Sequence, residues 1–313
     1  MKNRITRALV DQKTLVALIL LCVIVSCITD KFLKPANIQT ILVQVSIYGI
    51  AACGMTFAII GGDFDLSVGS TMAMAGLLSV MLEPIVGQVA AIVLALVCAC
   101  LAGLLNGILI TVCKINSFIA TIGTQYIIKG VALRLCDGRP VESQSPWFTQ
   151  IGNGKFLGLP IMIIVMIVCV FITAYILRRT RFGRNVYTVG GNQEVAHNSG
   201  INVQRIKMLV FIICAFTAGI AGVLNASRLN TGSATHGENL ALSVITGTVI
   251  GGTSLVGGVG GIWKSIIGVL FFNVLTNSLD ILGVYSYYQS AIRGVLLFVI
   301  IAFDAYSAYK EKQ

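Results

Sequence analysis

Long apolar stretches separated by short polar segments are the feature that most constrains how this chain of 313 residues folds. Each stretch is close to the roughly 20 residues that an α-helix needs to cross a bilayer. Only 11% of the residues are charged, whereas a soluble globular protein carries about 25%. The pattern predicts an all-α, polytopic membrane protein with about ten transmembrane helices in one domain, residues 1–313. The predicted helices cover residues 14–29, 36–60, 67–82, 88–112, 117–135, 159–177, 208–227, 239–256, 262–280 and 287–307.

The beginning of the chain resembles a secretory signal peptide, since Lys2, Arg4 and Arg7 precede an apolar run that starts at Leu15. The run ends at Cys27 in a stretch similar to a lipoprotein cleavage site. We interpret it instead as a retained first membrane helix, because an even number of helices keeps both ends of the chain on one side of the membrane.

The distribution of Lys and Arg predicts the orientation in the membrane. With the N-terminus inside, most of the 22 basic residues lie in inner segments, which is the bias that membrane proteins show towards positive cytoplasmic loops. We therefore predict a protein of the bacterial cytoplasmic membrane with both termini in the cytoplasm. The net charge of +10 is spread over loops and termini, so the lipid bilayer is a predicted partner and nucleic acid is not.

The longest polar segment lies at about 178–207 and is predicted to be a cytoplasmic loop. Within it, Asn192 is placed to cap a short helix, Glu194 is favourable in the first turn, and Gly200 is placed to end the helix. Such a helix is a natural contact for a soluble partner. The alternative is a solvated loop that only sets orientation. A second exposed loop is predicted on the outer side, at about 136–159.

Two glycine-rich segments interrupt the apolar pattern, one in each half of the chain. The first runs from Gly61 to Ser70 and the second from Gly251 to Gly261. Paired interruptions are typical of internally repeated transporters, and unwound backbone at membrane depth is tolerated where it is buried or lines a cavity. We predict helix breaks here; the alternative is ordinary tight turns between neighbouring helices. The glycines assigned to the breaks are Gly61, Gly62, Gly69, Gly251, Gly252, Gly257 and Gly258.

The sequence carries no recognisable catalytic motif. It contains neither HExxH nor GxSxG, and its nine cysteines include no CxxC pair. The second glycine segment is not a phosphate-binding loop, because Lys264 follows Trp263 rather than glycine and no strand precedes it. We predict that the chain is not an enzyme and binds no metal or cofactor. Energy for transport then comes from a partner or from an ion gradient.

Polar side chains inside the predicted helices are candidates for a solute pathway. Asp65 is either such a residue or, with Ser67, the cap of the following helix. The neutral residues fit a hydroxylated solute, and Phe118 can stack against a sugar ring; the alternative is that they hydrogen-bond between helices. Other ionisable residues, among them Asp280 and Arg293, lie within predicted helices or near their ends, and we expect most of them to reach water. The candidates are Asp65, Ser67, Asn106, Asn116, Phe118, Thr121, Thr124, Asn273 and Asn277.

Several motifs together resemble those of bacterial ABC-importer permeases for monosaccharides, the ribose type above all. Residues 62–70, GDFDLSVGS, resemble the family's GGIDLSVGS, and residues 117–124, SFIATIGT, resemble its FIATLGT helix start. The segment 180–201 is similar to the family's cytoplasmic coupling loop, 249–258 to its VIGGTSLxGG run, and 282–289 to a late LGVSSYYQ stretch. The resemblance covers nearly the whole chain, in order.

The resemblance implies a transporter with a second permease chain, either a copy or a related one, a cytoplasmic ATPase that hydrolyses ATP, and an extracytoplasmic sugar-binding protein. It also implies that the helix around 194–199 docks into the ATPase. Two residues depart from the family pattern: Asp63 replaces a glycine, and Ala241 replaces a glutamate. The residues that the resemblance assigns to the ATPase-coupling loop are Gly190, Gly191, Asn192, Glu194, Ala196, Ser199 and Gly200.

We therefore predict the permease subunit of an ATP-driven importer, which forms the translocation pathway for ribose or a related monosaccharide. One alternative is an ion-coupled secondary carrier that works alone; a carboxylate at the membrane midplane that is essential for uptake would favour it. A second alternative is a regulatory or assembly subunit without a pathway of its own.

Overall fold

The computed structural model describes residues 13–311, and most of them are helical. The predicted basic cluster Lys2, Arg4 and Arg7 and the end of the C-terminal tail lie outside the described residues. Four two-residue strands form two antiparallel pairs, β1 (Val141–Glu142) with β4 (Thr231–Gly232) and β2 (Lys155–Phe156) with β3 (Leu159–Pro160). The helices are α1 (Lys13–Ile28), α2 (Pro35–Ile60), α3 (Val68–Met81), α4 (Glu83–Val86), α5 (Gln88–Thr111), α6 (Ser117–Leu135), α7 (Pro146–Asn153), α8 (Ile161–Arg179), α9 (Arg181–Gly191), α10 (Gln193–Asn198), α11 (Val203–Leu229), α12 (Leu240–Ile250), α13 (Ile262–Ile281) and α14 (Ser286–Glu311).

Five of the described helices are long and apolar enough to cross a membrane, namely α2, α5, α8, α11 and α13. Helices α1, α3 and α12 are apolar but shorter, with 16, 14 and 11 residues. The expectation of an all-α membrane protein is confirmed. The number of about ten transmembrane helices stays a prediction, although every predicted apolar stretch contains a helix.

Helix α2 lies at the centre of the bundle. From Ser46 to Ile60 every residue except Tyr48 is buried, on all faces of the helix. A helix that is apolar all round is stable only where protein covers every face. Helix α5, by contrast, exposes apolar side chains such as Val97 and Leu101, and such a surface is suited to lipid.

Small residues bring α11 into backbone contact with α3 and α5. A Cβ at Gly222 would lie 2.0 Å from the carbonyl oxygen of Met72, and a Cβ at Gly103 would lie 2.5 Å from that of Phe211. Neither distance leaves room for a side chain. The helices therefore approach closely at these points, as small residues allow in membrane proteins.

Several boundaries differ from the predictions. The helix predicted over 239–256 ends at Ile250, because two glycines follow it. The predicted loop at 178–207 is largely helical: α9 and α10 fill most of it, and α11 begins at Val203 because Asn202 caps its first turn. The predicted outer loop at 136–159 contains α7 and short strands.

Candidate functional site

The two glycine-rich segments end helices α2 and α12 in the same way. Gly62 and Gly252 have positive φ angles of 80° and 93°, a conformation that favours glycine. The backbone amide of the residue after each glycine donates to a carbonyl oxygen in the last two turns of the preceding helix. The distance is 3.0 Å from Asp63 to Ala58 and 3.3 Å from Thr253 to Thr248. This is the Schellman arrangement of a helix end, so the two halves of the chain share their local geometry here.

The two glycine segments and helix α9 meet at one point. The amide of Gly258 donates to the carbonyl oxygen of Ile60 at 2.8 Å, which joins the second segment to the end of α2. A Cβ at Gly190, in α9, would lie 1.7 Å from the same oxygen, so only glycine permits this approach. We name this arrangement the glycine junction; it consists of residues 60–62, 190–191 and 257–260.

Tyr187 ties α9 to the second glycine segment by a further bond. Its hydroxyl donates to the carbonyl oxygen of Gly260 at 2.9 Å. Burial raises the pKa of Tyr187, although the nearby Arg178 opposes this shift. The phenol therefore stays protonated at neutral pH and remains a hydrogen-bond donor. Helix α9 thus packs against the end of α2 and is bonded to the segment that joins α12 to α13.

Helix α10 follows α9 directly and is short and capped, as predicted. The side-chain oxygen of Asn192 accepts hydrogen bonds from the amides of Glu194 and Val195, at 2.9 and 3.0 Å. Gly200 has a φ of 79° and turns the chain after the helix. Ala196 is fully buried, whereas Glu194 and Val195 are exposed. The helix therefore has one face fixed in the bundle and one face free, and its docking role stays a prediction.

We expect Asn192→Ala to lower the free energy of unfolding by about 1 kcal/mol, because two amides in the first turn of α10 lose their acceptor. Thermal unfolding of the detergent-solubilised protein measures this. Asn198→Ala is the matched control, since that side chain makes no hydrogen bond to any described residue and is exposed. Equal melting temperatures for the two variants would contradict the cap.

A cavity of about 450 Å³ opens beside the glycine junction, and we name it the inner cavity. The candidate residues Asn116 and Phe118 line it, together with Asp63 and Lys207. Asp63 and Lys207 form an ion pair at 2.8 Å, with only 9% and 10% of their side chains exposed. The sequence singled out Asp63 as a departure from the family pattern but did not reveal its partner, because Lys207 counted among the basic residues of the loop.

Five of the candidate pathway residues form one buried polar cluster. A carboxylate oxygen of Asp65 accepts from the amide and the hydroxyl of Ser67, and Asn106 donates to that hydroxyl at 2.8 Å. The hydroxyl of Thr124 donates to Asn106 at 2.6 Å, and Thr121 lies one helical turn before it. All five are at most 2% exposed. Their bonds join the start of α3 to α5 and α6, and their place in a pathway stays a prediction.

A second cavity, of about 390 Å³, lies at the other end of α11, and we name it the outer cavity. Residues 235–239, which form turns rather than helix, make up part of its wall. The chain packs against Leu77 at Gly232 and against Gly69 at Gly237, so it runs back along α3 by about 12 Å, given a rise of 1.5 Å per helical residue. Non-helical backbone at such depth occurs where it lines a cavity or is buried in protein.

The outer cavity combines one predicted pathway residue, Asn273, with several that sequence reasoning did not assign to a pathway. Asp280 and Arg293 both line this cavity; Asp280 is exposed, as expected, whereas Arg293 is only partly exposed. Glu238 also lines it and forms an ion pair with Lys129 at 2.7 Å. No periodic pattern marks these positions; the only signal was an ionisable residue within or next to an apolar helix.

Asn277, the remaining pathway candidate, lies away from both cavities. It exchanges two hydrogen bonds with Asn37 of α2, at 2.9 and 3.1 Å, and so joins α13 to α2. Ala241, the second departure from the family pattern, is buried in the first turn of α12. Within residues 13–311, no group of three or more His, Cys, Asp or Glu side chains is arranged to hold a metal ion.

Comparison with known proteins adds independent information. Residues 37–301 match the family described as branched-chain amino acid transport system / permease component. The chain is 39% identical over 290 residues to the ribose import permease protein RbsC of Bacillus subtilis, and this alignment covers 92% of this chain and 90% of the relative. It is 36% identical over 313 residues to RbsC of Haemophilus influenzae, covering 98% and 97%. It is 33% identical over 293 residues to the L-arabinose transport system permease protein AraH of Escherichia coli, covering 93% and 89%. No solved structure gives a significant match.

Proposed function

The chain belongs to the family of permease components of branched-chain amino acid transport systems, and from this premise we propose that it is the membrane-spanning subunit of an ATP-driven ABC importer for a monosaccharide. Permeases named for ribose and for L-arabinose are 33% to 39% identical to it over most of their length, which supports ribose or a closely related sugar as the cargo. The family is one of transporters rather than enzymes. In this proposal a separate subunit hydrolyses ATP, and this chain binds no cofactor.

The glycine junction is the observation that carries this proposal beyond family membership. A displacement of the exposed face of α10 is passed to α9, which packs against the end of α2 and is bonded to the segment between α12 and α13; Ile47 and Tyr48 of α2 line the outer cavity. Helix α2 is the buried centre of the bundle, and α12 borders the outer cavity. A movement that a partner imposes on α10 can thus reach the wall of the outer cavity, because closely packed contacts transmit displacement.

In the proposed transporter this chain has three partners. A cytoplasmic ATPase subunit docks on α10, and a second permease chain, a copy or a relative, completes the pathway. An extracytoplasmic binding protein delivers the sugar to the outer cavity. The inner and outer cavities lie at opposite ends of α11, as entry and exit sites of such a pathway would.

We propose a single permease domain of about ten transmembrane helices in the bacterial cytoplasmic membrane, with both termini in the cytoplasm.

With this orientation, a cysteine at Ser199, which is exposed next to α10, is expected to react with a membrane-impermeant maleimide in inside-out vesicles and not in intact cells. A cysteine at Leu157, which is 89% exposed in the outer loop, is the matched control with the opposite pattern. The background needs Cys27→Ser and Cys113→Ser, because both native thiols are exposed. Labelling of the Ser199 position in intact cells would contradict the orientation.

Co-purification tests the proposal directly. The chain, solubilised gently from its own host, is expected to bring down a nucleotide-binding subunit that mass spectrometry identifies. Val195→Asp is expected to abolish this, because Val195 is an apolar side chain, 55% exposed, on the free face of α10. Leu157→Asp places the same charge on the outer loop and is expected to leave the complex intact. A chain that purifies without any nucleotide-binding subunit would contradict the proposal.

A further inference from the structure

Asp280, Gln289 and Arg293 form a connected group next to the outer cavity. The side-chain amide nitrogen of Gln289 donates to a carboxylate oxygen of Asp280 at 2.8 Å and to the carbonyl oxygen of Val284 at 2.9 Å. The amide oxygen of Gln289 accepts from the guanidinium of Arg293 at 3.3 Å. Gln289 is only 6% exposed. Both ends of its amide are therefore fixed, one on a carboxylate and the other on a guanidinium.

This arrangement keeps two opposite charges close together without letting them pair. Among the described residues, neither Asp280 nor Arg293 forms an ion pair. The Nε atom of Arg293 is buried and has no hydrogen-bond partner in the described chain, while Asp280 is exposed. Both side chains line the outer cavity. They therefore hold unused hydrogen-bonding capacity beside it.

The position of Asp280 is unfavourable for the helix that carries it. Asp280 lies in the last turn of α13, where the helix dipole is negative, and no basic residue in that turn compensates it. An ionisable side chain within or next to a membrane segment is costly and usually has a functional reason. Asp280 does not stabilise its own helix, so a functional reason for this residue lies in the outer cavity that it lines.

We propose that Asp280 and Arg293 form a binding subsite for a neutral sugar with adjacent hydroxyl groups, and that Gln289 is their positioning residue. A carboxylate accepts hydrogen bonds from two neighbouring hydroxyls, and a guanidinium donates to hydroxyl or ring oxygens; both kinds of bond are charge-assisted. Tyr48 and Phe272 line the same cavity, and the ring of Tyr48, which is partly exposed, offers apolar surface to the C–H face of the sugar. The volume of about 390 Å³ falls within the range of about 300–1,000 Å³ that is usual for small-molecule sites.

The charges around the subsite favour a neutral sugar. Asp280 offsets Arg293, and Glu238 is already paired with Lys129. Arg228 adds one positive charge to the cavity wall, so an acidic sugar is the competing ligand. This inference rests on the proposed function, because it identifies the groups that hold the sugar during its passage.

The test uses the complete transporter, reconstituted in liposomes with its ATPase and binding protein, and compares uptake of ribose with uptake of 2-deoxyribose, which lacks one of the adjacent hydroxyls. For Asp280→Asn we expect the transporter to assemble and ribose uptake to fall about tenfold, the ratio that corresponds to 1.4 kcal/mol. The preference for ribose over 2-deoxyribose is expected to shrink towards that of the binding protein alone.

Gln289→Leu is expected to raise the ribose concentration for half-maximal uptake while the maximal rate is retained. Asp137→Asn, an exposed carboxylate paired with Arg134, is the matched control and is expected to change nothing.

Each outcome of this test has a distinct meaning. Unchanged ribose uptake and unchanged preference in Asp280→Asn would overturn the subsite, and better uptake of glucuronate than of ribose by the unmodified transporter would overturn its neutral character. If Asp280→Asn does not assemble, Arg293→Lys decides, because it keeps the charge but loses the fork of donors; normal ribose uptake would then overturn the subsite. An unmodified transporter that moves no sugar with ATP would instead contradict the proposed function.

Discussion

Lys207→Ala is expected to lower the free energy of unfolding by about 3–5 kcal/mol, because it leaves Asp63 as an unpaired charge in a nearly buried position. The pair joins the start of the first glycine segment to the first turns of α11, and its atoms lie 2.8 Å apart. No other described ion pair is comparably buried. The measurement is thermal unfolding of the detergent-solubilised protein, followed by loss of the monodisperse peak in size-exclusion chromatography.

Two variants separate the loss of the pair from the loss of the lysine itself. The double variant Asp63→Asn with Lys207→Met removes both charges and keeps similar volumes, so we expect it to recover much of the lost stability. Lys129→Ala breaks the pair with Glu238, whose side chains are 32% and 51% exposed, and we expect an effect of only about 0–1 kcal/mol. A Lys207→Ala protein as stable as Lys129→Ala would refute the importance of the buried pair.

Gly190→Ala is expected to abolish uptake and to lower the free energy of unfolding by about 1–3 kcal/mol, the usual cost of overpacking, or by more. The added Cβ would lie 1.7 Å from the carbonyl oxygen of Ile60 and 2.9 Å from the amide nitrogen of Gly258. Both are backbone atoms, so no side-chain rotation can relieve the clash. The glycine junction must open, and α9 then loses its contacts with the end of α2 and with the segment between α12 and α13.

Gly191→Ala is the matched control, because it adds the same methyl group one residue further along. A Cβ at Gly191 meets no atom within 4 Å, so we expect normal stability and normal uptake. The readouts are ribose uptake by whole cells and thermal unfolding of the purified protein. If both variants transport normally, the close approach at Gly190 has no role in coupling.

Helix positions were largely predictable from the sequence, because a bilayer imposes both apolar composition and length. Helix α6, for example, occupies Ser117–Leu135, the range that was predicted. Helix α10 was also predictable, since its capping residue Asn192 and its terminating Gly200 are local signals. Both features depend only on residues close together in the chain.

Helix α9 was missed for a different reason. Its buried residues Val186 and Val189 lie on one helical face, but the arginines around them made the whole segment resemble a solvated loop. A search for helical periodicity within the polar segment, rather than for apolar length, would have found it. The basic charges of the segment were interpreted correctly, but its helical periodicity was overlooked.

Contacts between residues far apart in sequence were not predictable, both at the candidate site and elsewhere between the helices. The bonds between Asn37 and Asn277 span 240 positions, and the pair of Asp63 with Lys207 also depends on how α2 and α11 pack. The outer cavity was missed because its wall is made partly of non-helical backbone at 235–239. The polar residues of this stretch mark it as non-helical, but they do not show that it packs back along α3.

The most direct test of the account is sugar uptake by proteoliposomes that contain the purified chain with or without its ATPase partner. We expect uptake of ribose or a related sugar only when the ATPase, ATP on its side of the membrane and the binding protein on the other side are all present, and we expect an ionophore to have no effect. The same complex with Gly190→Ala is expected to bind the ATPase and transport nothing. Uptake by the chain alone, driven by an ion gradient and abolished by the ionophore, would contradict the account and identify a secondary carrier.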